Sequence, residues 1–138
     1  MDITDRMVEE NYQKMKPEYK KLNLRLLEKI PEITEIFNAY VADAIFDGIE
    51  TDGYAVFDGV VSPFTYKNIN NKELVNRIFA FVEDMLSQEG SMEENVANVS
   101  FWENLVYSYD PREFFDFVKE GTKNYESMQY YVKEKLRQ

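Results

Sequence analysis

Asn70-Asn71-Lys72-Glu73-Leu74-Val75-Asn76-Arg77-Ile78-Phe79-Ala80-Phe81-Val82-Glu83-Asp84-Met85-Leu86 is the stretch that decides the fold. Leu74, Ile78, Val82, Met85 and Leu86 recur at helical spacing, which gathers them on one face of an α-helix. Asn70, three residues ahead of Glu73, is a relative of the Ser-x-x-Glu capping box and marks the helix start. Gly90 marks its end.

The same signals continue in both directions. Toward the N-terminus, Asp2 or Thr4 can cap a polar-rich first helix that runs to Met15. Pro17 suits the first turn of the next, which carries Tyr19, Leu22, Leu24, Leu26 and Leu27. Pro31 opens another, with Ile33, Phe37, Val41, Ala44 and Ile45 as one apolar stripe ending at Asp47-Gly48. Toward the C-terminus, Ser91-Met92-Glu93-Glu94 is a Ser-x-x-Glu box, followed by a helix with Val96, Val99, Trp102 and Val106 on its stripe. Asp110-Pro111-Arg112-Glu113 stacks three start signals: an Asp at the cap, Pro at the first helical position and Glu at the third. Phe114, Phe115, Phe117 and Val118 make a short helix there, closed by Gly121. Thr122 caps the last helix, whose stripe is Tyr125, Met128, Val132 and Leu136.

Residues 48–69 break the pattern. Asp52-Gly53 and Asp58-Gly59 are turn dipeptides, with Tyr54, Val56, Phe57, Val60, Val61, Phe64 and Tyr66 between and after them. β-Branched and aromatic residues between turn signals predict either a short β-hairpin or an ordered loop clamped by its aromatics. The fold expected is therefore mainly α: a single compact domain over residues 1–138, six or seven helices with a short irregular or β-hairpin segment near 48–69. A chain of 138 residues fits one domain, and a hydrophobic fraction of 44% supplies a core.

Charge is distributed unevenly along the chain. From Ile30 to Tyr66 stand Glu32, Glu35, Asp43, Asp47, Glu50, Asp52 and Asp58, with no Lys or Arg. From Ile78 to Pro111 stand Glu83, Asp84, Glu89, Glu93, Glu94, Glu103 and Asp110, again with no Lys or Arg. The whole chain carries −10. A segregated charge builds a field, and a field selects and steers partners. The acidic balance speaks against a nucleic-acid partner, which needs a basic footprint, and against an anionic lipid surface. It favours a basic protein.

Reaction chemistry is sparse. There is no Cys and no His, so thiolate chemistry and the commonest general base are absent. No Ser-His-Asp or Ser-x-x-Lys constellation is present, and the five Gly are isolated rather than gathered in a phosphate loop. No cofactor is expected. Asp43 and Asp47, four apart, share a helix face, with Glu50 and Asp52 just beyond. Oxygen ligands of that kind suit a hard cation, yet the spacing does not match an EF-hand loop. Met1-Asp2-Ile3-Thr4-Asp5 has neither the basic nor the apolar region of a secretory signal, and no stretch approaches a membrane span. A cytoplasmic protein is the expectation.

The first acidic window reads as a binding surface. Asp43 and Asp47 repel at i,i+4, which costs about 0.2–0.5 kcal/mol with no base in the same helix to offset it. Asp52 and Asp58 flank Tyr54, and carboxylates beside Tyr suit a Lys/Arg-rich surface. The plainer alternative is that the aromatics are core and the acids only solubilise. A second polar cluster, Asn95, Asn98, Ser100, Glu103 and Asn104, surrounds Trp102 on its helix. Asn is a poor residue for a helix interior. These side chains either tie neighbouring segments together or belong to a site.

Val96-Ala97-Asn98-Val99-Ser100-Phe101-Trp102-Glu103-Asn104-Leu105 resembles the signature of a small bacterial helical domain family of unknown function. Its members read approximately Val-x-Asn-Val, an apolar or Ser stretch, Glu-Asn-Leu, a Gly-Pro-type segment and a Tyr-Glu-x-Met-like final helix. Tyr125-Glu126-Ser127-Met128 fits the last element, while Gly121-Thr122 stands where Gly-Pro would be. The resemblance covers the C-terminal half. Small, acidic, helical proteins of this style resemble immunity proteins, which neutralise a cognate toxin by covering its active site or another surface. The resemblance implies that class and brings no catalytic residue with it.

The reading is a non-enzymatic protein-binding module, of the immunity or inhibitor type. It binds a basic partner such as a toxin through Asp43, Asp47, Glu50, Asp52, Tyr54 and Asp58. Two alternatives stay open from the sequence: a carboxylate-dependent enzyme or hard-metal protein, and a structural or oligomeric scaffold.

Overall fold

A computed structural model describes residues 16–47 and 52–137, the side chains of 44–47 excepted; among them are helices and connecting turns and no strand. The predicted caps Asp2 and Thr4 lie outside the described residues, as does Glu50.

Helix α1, Pro17–Lys29, starts on its proline and buries Leu22 and Leu26, while Leu24 points outward. Its last turn closes with the Ile30 N–H donating to the Leu26 carbonyl at 2.8 Å. Pro31 then opens not an α-helix but a 3₁₀ turn, Pro31–Ile33, which redirects the chain into α2, Thr34–Asp47. Ile30, Ile33, Phe37 and Val41 are fully buried. Each such side chain contributes about 1.5–3 kcal/mol by leaving water.

The segment expected to be irregular or a hairpin is helical instead. Residues 53–67, α3, begin as the α-turn Gly53–Val56, widen into the π-helical Phe57–Val61 and finish as α-helical Ser62–Lys67. Asp52 acts as a cap: the Ala55 N–H donates to its Oδ1 at 2.8 Å. Val56, Phe57, Val60, Val61 and Phe64 repeat at helical spacing and are buried, so their β-branched bulk fills a core rather than a sheet. Pro63 gives the π turn a reason. It has no N–H to donate, and its ring would press on the carbonyl four residues back, so the preceding turn widens. The glycines of the two Asp-Gly pairs serve close packing. A Cβ on Gly53 would stand 3.1 Å from Leu22 Cδ2, and one on Gly59 would stand 3.2 Å from Tyr40 Cε2.

Helix α4, Lys72–Leu86, realises the opening stripe: Leu74, Ile78, Val82, Met85 and Leu86 are all buried. Its cap is Asn71, not Asn70; the Leu74 N–H donates to Asn71 Oδ1 at 3.3 Å. Gly90 ends the turn beyond it at φ 77, a left-handed conformation that glycine adopts without strain. Ser91 caps the next helix by accepting from the Glu94 N–H at 3.1 Å, and Glu94 reaches back to accept from the Gly90 N–H at 3.0 Å.

That next helix, α5 at residues 92–108, also contains a π segment, Ala97–Glu103, between Met92–Val96 and Asn104–Ser108. Its buried residues are Val96 and Ala97, then Ser100, Phe101 and Trp102, then Leu105 and Val106. A five-residue step from Ala97 to Trp102 replaces the usual four, because a π turn holds more residues than an α turn. The extra residue changes the phase. Val99, expected on the stripe with Val96, Trp102 and Val106, stands 44% exposed. Asp110 caps as predicted, accepting from the Arg112 N–H at 3.0 Å, but the turn it starts is 3₁₀, Pro111–Phe117. Helix α6, Lys123–Leu136, starts at Thr122, whose hydroxyl accepts from the Tyr125 N–H at 3.1 Å. It buries Met128 and leaves Leu136 exposed.

The core is one cluster running from Leu22 to Met128. Phe79 of α4 lies at its centre, with Phe101, Trp102, Phe114 and Phe117 around its ring at centroid distances of 6.0, 5.3, 6.4 and 5.9 Å. Asn124, buried at the start of α6, accepts from the Trp102 indole N–H and donates to the Phe79 carbonyl, both at 2.8 Å. The two π segments pack against each other and are pinned by Ser62, whose hydroxyl donates to the Ser100 carbonyl at 3.1 Å. A buried serine is tolerated there because its hydroxyl has a carbonyl to donate to.

Candidate acidic groove

The acids fall into two groups once their neighbours are known. In the second window, most are engaged within the fold. Glu83 caps α6, accepting from the N–H groups of Lys123 and Asn124, both at 2.9 Å. Arg25 of α1 grips Glu93 at 2.8 and 3.0 Å and reaches Asp84 at 3.2 Å while lying over the Phe81 ring. Glu89 meets Lys123 at 3.5 Å. Glu94 completes a cap, and Arg112 holds the Asp110 carboxyl down to about 2. Glu103 has no ion pair among the described residues. In the first window, Arg77 bonds Glu32 and Glu73 together and lowers the pKa of both. Asp52 is a cap. Asp43 and Glu35 are exposed on α2 with no ion pair among the described residues.

Asp58 and Glu103 both line a groove of about 470 Å³ where the two π segments face each other. Tyr54, Ala55 and Asp58 come from α3; Val99, Ser100, Glu103, Asn104 and Tyr107 come from α5. The amide of Asn104 donates to the Asp58 backbone carbonyl at 3.4 Å and also to its Oδ1, which fixes the carboxylate. Asn95 donates to the Tyr54 hydroxyl at 2.7 Å, and Tyr19 packs edge-on to the Tyr54 ring. Val99 and Tyr107 stay exposed at the mouth. The acids act on nearby phenols as well. Burial and then the Glu103 charge push Tyr131 up to about 12, and burial followed by Asp52 and Asp58 raises Tyr40.

Of the six residues named from the sequence, Tyr54 and Asp58 line this groove, with Tyr40 over Gly59 nearby, while Asp52 is not part of the lining and caps α3. Asp43 stands less than one turn beyond Tyr40 on α2. Asp47 lies in α2 with its side chain outside the described set, and Glu50 is outside it altogether. Sequence reading missed Glu103, Val99 and Tyr107 as partners of this site. Its signal was the polar cluster around Trp102. Asn95 and Asn104 tie α5 to α3, Asn98 accepts from Ser127 of α6 at 2.6 Å, and Ser100, Glu103 and Asn104 line the groove.

Two other depressions differ in character. One, about 380 Å³, is lined by Arg25, Lys29, Arg77, Phe81 and Asp84, and its arginines are already ion-paired. The larger, about 600 Å³, lies between Tyr66, Lys67, Lys72, Glu113 and Phe117, with mixed charge. Among the described residues no three acids gather into a group that can hold a metal ion, and no helix is long and apolar enough to cross a membrane.

A family model described as a domain of unknown function, DUF7674, matches residues 23–138. The match begins in α1, well ahead of the C-terminal half in which a family resemblance was read. No curated protein and no solved structure matches the chain.

Proposed function

The chain belongs to the DUF7674 family, a domain of unknown function, and we propose that it is a non-enzymatic module that binds a basic protein through the face around the α3–α5 groove. One observation supports this most. Asp58 and Glu103 line one groove with no Lys or Arg paired to them among the described residues, beside exposed Tyr107 and Val99. Carboxylates, an amide and phenols hold a cation without breaking a bond. Asp43, one helix away, extends the field.

The partner class is a basic protein such as a bacterial toxin, and the module acts as an inhibitor of the immunity type. Opposed potentials raise the association rate and fix register. Capture of the partner from the native host at low salt, followed by stopped-flow association, tests the reading. The association rate falls steeply as salt rises, and falls again by about tenfold in the Asp58→Asn/Glu103→Gln double variant. A partner that associates equally fast across the salt range removes the reading.

A further inference from the structure

We propose that the groove is a socket for an arginine side chain of that partner. This rests on the protein-binding reading above and narrows it to one side chain. Two carboxylates reach the groove from facing π segments. Asp58 has one oxygen and its backbone carbonyl engaged by Asn104, which leaves the second oxygen oriented and open. Glu103 has no ion pair among the described residues. Two rings, Tyr54 and Tyr107, line the same groove, and Tyr54 is held in place by Asn95 and Tyr19. The π turn puts Val99 at the mouth, an apolar surface for an aliphatic stem.

That lining discriminates between the two basic side chains. A guanidinium is planar, stacks on aromatic faces, is weakly hydrated and presents a fork of N–H donors to paired carboxylates. An ammonium is a strongly hydrated point charge and loses more water on entering. The molecule contains its own instance of the arrangement: Arg25 bonds Glu93 and Asp84 while its guanidinium lies 5.5 Å from the Phe81 ring centroid.

The test is an NMR titration of the full chain with N-acetylarginine amide and N-acetyllysine amide. The arginine probe is expected to shift Val99, Tyr107 and Asp58 saturably, with a dissociation constant on the order of millimolar. The lysine probe is expected to bind about tenfold more weakly. Asp58→Asn and Glu103→Gln each weaken the arginine probe by about tenfold, the effect of removing a charged hydrogen-bond partner, and Glu35→Gln does not. Both groove acids are exposed, and the comparison of two probes on the unaltered chain needs no variant. Equal binding of the two probes overturns the arginine preference and leaves a general cation-binding face standing. No response at Val99 from either probe overturns the socket. If association of the captured basic partner is then also indifferent to Asp58 and Glu103, the protein-binding reading falls with it.

Discussion

The indole N–H of Trp102 donates to the buried side-chain oxygen of Asn124 at 2.8 Å, and the amide of Asn124 continues to the Phe79 carbonyl. One asparagine thus joins α4, the π segment of α5 and the first turn of α6. Its removal leaves the buried Trp102 N–H without a partner and takes from the Phe79 carbonyl a bond additional to the one within its helix. Asn124→Ala is expected to cost about 2–4 kcal/mol, measured by urea unfolding. A loss under about 0.5 kcal/mol would show that the network contributes little.

Glu83 caps α6 from another helix, with both carboxylate oxygens on the N–H groups of Lys123 and Asn124. Glu83→Gln keeps the size and removes the charge that the helix N-terminus favours. A loss of about 1 kcal/mol is expected, read as a lower thermal midpoint. Glu89→Gln, at an exposed pair with Lys123, is expected to change stability by less than about 0.5 kcal/mol.

The π turn in α5 makes a sharp prediction about two valines. Val96 is fully buried and Val99 is 44% exposed. Val96→Ala is expected to cost about 2 kcal/mol and Val99→Ala less than about 0.5 kcal/mol. Equal losses in chemical denaturation would place both on one regular α-helical stripe and remove the phase shift.

Alkaline pH probes the packing of Tyr131. Its folded-state pKa is pushed up to about 12, by burial first and the Glu103 charge second, from an ordinary value of 10. The neutral phenol is therefore favoured in the folded state. This contribution to stability is fully present below pH 10 and is lost as pH rises through about 12. Ultraviolet titration of phenolate absorbance should show a late-titrating tyrosine that Tyr131→Phe removes. Titration of every tyrosine together near pH 10 would contradict that packing.

The caps were legible in the sequence wherever one side chain and a nearby N–H sufficed: Ser91, Asp110 and Thr122 all act as read. The cap of α4 is Asn71, one residue past the Asn70 that the spacing to Glu73 points to, because a cap needs only a side-chain oxygen within reach of a free N–H and the backbone path brings Asn71 there. Residues 53–67 misled because β-branched and aromatic residues serve a buried helix as well as a strand when a neighbouring helix covers them. Here Gly53 and Gly59 allow that approach, against Leu22 and Tyr40.

The sequence by itself determined the helical class, most helix starts and the apolar stripes, because capping and a 3.6-residue period act over a few residues of chain. Only the tertiary structure decided which acids are ion-paired within the fold. Arg25 comes to Glu93 from 68 residues away, Arg77 to Glu32 from 45 and Lys123 to Glu89 from 34. Charge separated along the chain is thereby neutralised in space over much of the second window, and in the first window at Glu32. Asp58 and Glu103 come to share a groove because two π turns, one beside Pro63 and one around Ser100, pack face to face, a juxtaposition that no local pattern encodes.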